Sequence, residues 1–163
     1  MLRALAVIAA LTAAVACKKK EGPIDGIGAW HLGKTRVAQG TICQPQEGSD
    51  LTWCSHNPEM VIAEHRASVD LYFRGKGEDA VLVEILLAMA QPCNTEALDK
   101  WLTHRLGAAS DKRGPALVWR GEAATIVGLL PARDGECLIH FLDPKDDKRL
   151  GELTRQPDTA PAR

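Results

Sequence analysis

Apolar and polar positions alternate most clearly from Ala67 to Phe73, where Val69, Leu71 and Phe73 fall on one side, the period-two pattern of a half-buried strand. Gly75-Lys76-Gly77-Glu78-Asp79 then supplies turn chemistry. Ala80 to Ala90 follows as an apolar run in which Glu84 is the sole charge, a pattern shared by buried strands and buried helices. Its place directly after a strand and a turn predicts the second arm of a hairpin. Asn94 stands as an N-cap before Glu96 in the first turn, Leu98, Trp101, Leu102 and Leu106 at helical spacing, His104 and Arg105 in the last turn, and Gly107. That is a helix with one apolar face. After a loop through Ser110 to Gly114, strands are predicted over 116–120, 124–130 and 136–142, with turns at Gly121-Glu122 and 132–135 short enough for a meander. In the last strand Cys137, Ile139 and Phe141 share one face, and Leu138, His140 and Leu142 the other.

Flanking segments are less periodic. Lys18 to Ile27 is polar and glycine-rich and reads as a short tether. Trp30 to Val37 opens the folded part, with at most one or two helical turns before Gly40. His56-Asn57-Pro58 is a loop, and from Asp143 onward charges and prolines predict a tail that is disordered beyond Leu153. The expected fold is α+β: an antiparallel sheet of about five to seven strands in hairpins and a meander, with one clear helix on one face. The expected organisation is a leader over 1–16, a tether over 17–28, one domain over 29–153 and a tail over 154–163.

The first residues change the picture. Arg3 precedes an apolar run, Ala4 to Ala16, that is too short to span a bilayer, which takes about 20 apolar residues, and reads as an export signal. Its end, Ala14-Val15-Ala16-Cys17, resembles the lipobox of bacterial lipoproteins, with Ala14 where leucine is preferred. The resemblance implies cleavage before Cys17, acylation of Cys17 and anchoring in the cell envelope, more in the outer than the inner membrane because Lys18 is not aspartate. An ordinary signal peptide cleaved after Ala16 is the alternative. Several acyl chains give stable anchoring where one does not.

Export bears on the other four cysteines. Cys43, Cys54, Cys93 and Cys137 form an even set in an oxidising compartment, so two disulfides are expected from three possible pairings. A turn at Gly48-Ser49 sets Cys43 opposite Cys54 across a hairpin, leaving Cys93 to join the helix start to Cys137.

The 163 residues allow one ordinary domain, and a net charge of -1 gives no basic surface for nucleic acid. Cys54-x-His56 and Cys137-x2-His140 could be drawn with Cys43 as a metal site, but exported cysteines oxidise, so no metal or cofactor is expected. No Gly-x-Ser-x-Gly and no phosphate loop occurs; Gly33-Lys34-Thr35 mimics only the end of one, so no nucleotide is expected. No catalytic residue is singled out. Glu84, if buried, needs a partner, for which Arg66, Arg74 and Lys76 are the neighbours in sequence. Trp101 and Trp119 suit the core, whereas Trp30 and Trp53 lie in less regular segments and are candidate anchors for a partner.

Leu32-Gly33-Lys34-Thr35-Arg36 resembles the helix opening of small envelope lipoproteins similar to the outer-membrane assembly component family, in which a helical part precedes a small sheet; here Gly40 interrupts the long helix. The expected function is a non-enzymatic, lipid-anchored envelope protein that binds another protein or supports an assembly. An inhibitor of a lysozyme or protease, presenting Gly75 to Asp79 or Ser55 to Met60 as its loop, is the alternative, and an envelope enzyme using carboxylates a third.

Overall fold

A computed structural model of the chain describes residues 24–35, 42–75, 77–132 and 135–155. The leader, Cys17, the first part of the tether and the expected tail from 156 onward lie outside the described residues.

Two short strands, β1 (Gly26–Ile27) and β2 (Trp30–His31), form a small hairpin of their own. The main sheet has nine strands: β3 (Ile42–Pro45), β4 (Leu51–Ser55), β5 (Met60–Ile62), β6 (His65–Arg74), β7 (Val81–Met89), β8 (Asp111–Arg113), β9 (Ala116–Arg120), β10 (Thr125–Leu129) and β11 (Cys137–Leu142). The order is β3-β4-β6-β7-β11-β10-β9-β8, with β5 also on β6, and every pairing is antiparallel. Helix α1 (Thr95–Leu106) connects the two halves, and α2 (Asp147–Thr154) follows the last strand. The α+β class therefore holds, with a larger sheet and one more helix than the periodicity suggests.

The hairpin of β6 and β7 forms as the alternation predicts, and a bulge between Tyr72 and Phe73 turns both Leu82 and Val83 into buried positions. The β3–β4 hairpin has the predicted register, Cys43 opposite Cys54, closed by a Gln46–Leu51 backbone bond around Glu47 to Asp50. Helix α1 starts where its cap signals place it. The Asn94 side chain accepts from the Ala97 N–H at 3.0 Å, and Gly107, at φ 83°, donates back to Thr103 O.

Leu98 and Leu102 of α1 are fully buried against Ile85, Leu87, Ile126, Ile139 and Phe141. Burying each leucine contributes about 2 kcal/mol. The helix sits close to the sheet at Gly128, where a Cβ would come within 3.3 Å of Leu102 Cδ1 and 3.4 Å of the Trp119 ring. Both disulfides exist: Cys43–Cys54 staples the β3–β4 hairpin, and Cys93–Cys137 fastens the entrance of α1 to the sheet face that α1 covers. The opposite face carries a smaller cluster, in which Leu150 of α2 packs on Ala116, Val118, Val127 and Leu142.

Three expectations need correction, and one element was not foreseen. Residues 30–35 hold a β-hairpin arm, a turn and a bridge from Thr35 to Val81, not helical turns. The folded body begins by Ile24, inside the expected tether, because Ile27 is buried in the main core. Asp111 to Arg113 is an edge strand rather than loop, and its charges suit an edge that must not pair further. The charged segment after Asp143 contains α2, capped by the Asp146 side chain on the Arg149 N–H at 3.0 Å.

Candidate functional site

Strand alternation sends Val69, Leu71 and Phe73 of β6 into the core beneath α1 and turns Ser68, Asp70 and Tyr72 to the opposite face. Trp53 of β4 stands opposite Tyr72, Leu86 of β7 opposite Asp70, and Leu138 of β11 opposite Ala88. The leucines of helix α2 cover the β9–β11 part of this face, while its Arg149 reaches Glu84 of β7 and its N-cap Asp146 reaches Arg74 of β6. Among the described residues no element covers the remainder, and Trp53, Asp70, Tyr72, Leu86, Ala88 and Leu138 are half-buried there.

The boundary between the covered and open halves is a buried ionic cluster. Glu84 of β7 accepts from His140 Nδ1 at 2.7 Å and from Arg149 of α2 through Nε at 2.8 Å and Nη2 at 3.1 Å. Burial pushes the Glu84 carboxyl up, but the hydrogen bonds from His140 and Arg149 outweigh it and hold the group below the usual glutamate value. His140 Nε2 is buried without a hydrogen-bond partner among the described residues. Arg66, Arg74 and Lys76 are therefore not the partners of Glu84. Arg66 pairs with Glu59 and Arg74 with Asp50 and Asp146, while Lys76 lies outside the described residues.

Asp70 differs. Burial pushes its carboxyl above the usual aspartate range, and only the Trp53 indole and the charge of His56 pull it back in part. The indole N–H is buried and closes no hydrogen bond of regular geometry, yet stands near enough to Asp70 to favour its ionised form. Burial likewise pushes the Tyr72 phenol up, with the carboxylates of Glu84 and Asp70 adding to the effect. At the rim, the Ser55 hydroxyl and His56 Nδ1 are hydrogen-bonded at 2.9 Å.

Of the two tryptophans expected to anchor a partner, Trp53 lies on this open half-face, while Trp30 is half-buried against the main core on the α1 side. They do not form one patch. The cysteines of the two drawn metal motifs are oxidised, and among the described residues no cluster of three or more metal-binding side chains occurs. Nor is any helix among them long and apolar enough to cross a membrane. A separate concavity of about 330 Å³ lies between the end of α1 and the β9–β10 turn, lined by Ile24, Arg105, Trp119, Arg120 and Glu122 among others. Arg105 there stacks on Trp101, 5.5 Å from the ring centroid.

The sequence reading missed Asp70 and Tyr72 as site residues. Their place on the polar side of the 67–73 alternation was the available signal, but nothing local indicated that this side would stay half-covered. Compared with protein-family models, with curated proteins and with solved structures, the chain matches none.

Proposed function

We propose that the chain is an exported, non-enzymatic protein of the bacterial cell envelope, held through lipid on Cys17, more in the outer than the inner membrane, whose domain binds another protein. The observation that carries the binding role is the open half-face with Trp53, Tyr72, Leu86 and Leu138 half-buried on it. Aromatic and aliphatic side chains fixed on rigid strands lose little entropy on contact, which suits an interface. Two disulfides within one small domain support an oxidising compartment. The test is a photo-crosslinking residue at Ala88 or Leu138 in the native envelope, with mass spectrometry of the adduct and of Cys17. A specific protein adduct and an acylated Cys17 are expected; unmodified Cys17 in a soluble cytoplasmic chain would sink the reading.

The loop from Ser55 to Met60 favours the hydrolase inhibitor as a second reading. Asn57 is buried and donates to Cys54 O at 3.0 Å and Val69 O at 2.9 Å, and the Cys43–Cys54 disulfide adjoins it, so exposed His56, Pro58 and Glu59 are held on a rigid frame. Assays against a lysozyme and a panel of serine proteases separate the two readings.

A further inference from the structure

Within the open half-face one carboxylate has no ion-pair partner among the described residues. Arg149 is spent on Glu84 and Glu152, and Arg74 on Asp50 and Asp146, while Asp70 forms no ion pair among the described residues. Around Asp70 stand the Trp53 indole and the Tyr72 ring, Leu86 on the neighbouring strand, and His56 at the rim. We infer that Asp70, flanked by Trp53 and Tyr72, receives a lysine or arginine side chain of the protein that covers this half-face.

The argument is one of complementary charge in a partly dry place. A carboxylate half removed from water gains when a cation replaces the lost hydration, and aromatic faces add attraction for the same cation. Apolar Leu86, Ala88 and Leu138 around it exclude water from the contact, so the ion pair is screened less than one on an open surface. A sugar would need several converging donors and acceptors, whereas the floor offers one carboxylate, the Tyr72 hydroxyl, the Trp53 indole and aliphatic surface, the Ser68 hydroxyl already donating to Ala88 O at 3.3 Å. The titratable groups facing Asp70 are His56 from the loop after β4, Tyr72 from its own strand and Glu84 from β7; Arg149 of α2 lies beyond Glu84.

This inference rests on the protein-binding reading above, and its test separates the two. The isotope-labelled full chain is titrated with the tripeptides Gly-Lys-Gly and Gly-Arg-Gly, with neutral Gly-Gln-Gly and with an N-acetylglucosamine trimer, following the Trp53 indole resonance. Saturable shifts with the two cationic peptides alone are expected, weakened about tenfold by Asp70→Asn and by high salt. Tyr72→Leu should also weaken them. Equal shifts with the neutral peptide or the sugar, or cationic shifts that survive Asp70→Asn, overturn the inference. In cells, Asp70→Asn should reduce the crosslink formed from Ala88. An undiminished adduct overturns the cation receptor but leaves the protein-binding reading standing. No adduct from either Ala88 or Leu138 overturns that reading, and with it the partner's cation.

Discussion

His140 and Glu84, 56 residues apart in the chain, are hydrogen-bonded at 2.7 Å across adjacent strands, with side chains only 3% and 4% exposed. The pair is completed by Arg149, which reaches the same carboxylate from α2. Removing Arg149 leaves the buried Glu84 carboxylate with the His140 hydrogen bond alone, and an under-compensated buried charge costs more than the pair itself contributes. Arg149→Met is therefore expected to destabilise the domain by about 3 kcal/mol, read as a lower urea midpoint at unchanged slope. A midpoint within error of the parent's would show that Glu84 is not held by this arginine.

Acid should act through the same carboxylate. Its folded-state pKa lies below the ordinary value of 4.5, so its stabilising contribution is complete above that pH and is lost as pH falls through the depressed folded value. Glu84→Gln should flatten the acid limb of a stability-against-pH curve. Asp70 has the opposite sign: its raised folded value means that ionisation costs stability once pH exceeds the usual aspartate range. Asp70→Asn is accordingly expected to hold or raise the urea midpoint at neutral pH.

The two disulfides close loops of different length, with sequence separations of 11 for Cys43–Cys54 and 44 for Cys93–Cys137. Chain-entropy arguments give about 3 and about 4 kcal/mol respectively. Replacing Cys93 and Cys137 together by serine should thus lower stability more than replacing Cys43 and Cys54. The reverse order, measured by urea unfolding, would mean that native contacts at the hairpin outweigh loop entropy.

Asn57→Ala removes two buried hydrogen bonds and strands the carbonyls of Cys54 and Val69. A loss of about 2 kcal/mol is expected, together with faster amide exchange across residues 55–60. Protection there as strong as in the parent would argue that the disulfide alone holds the loop.

The β5–β6 turn places Ala63 at φ 46° and Glu64 at φ 70°, a left-handed pair that neither residue favours. Exchanging them for Asn-Gly should stabilise the domain by about 1 kcal/mol, seen as a higher thermal midpoint.

Helix α1 was legible because cap, apolar stripe and closing glycine all agree between Asn94 and Gly107. Its counterpart was not: Asp147 to Thr154 offers only Leu150 and Leu153 as apolar positions, with Gly151 between them, and coheres through Asp146, Arg149 and the sheet beneath. Glu84 was recognisable as a charge in need of a partner, and the two faces of the 136–142 strand were assigned correctly. Which strand lies beside β7 was not written locally, because its neighbour β11 is separated from it in the chain by α1 and three further strands. The Cys43–Cys54 pairing was readable, since a turn centred on Gly48-Ser49 fixes the register arithmetically.

The sheet's two covers are fastened by different chemistry: α1 is covalently tied beside its first turn by Cys93–Cys137, while α2 rests on ion pairs and on Leu150 and Leu153. Protons and electrons therefore address opposite sides of the same molecule.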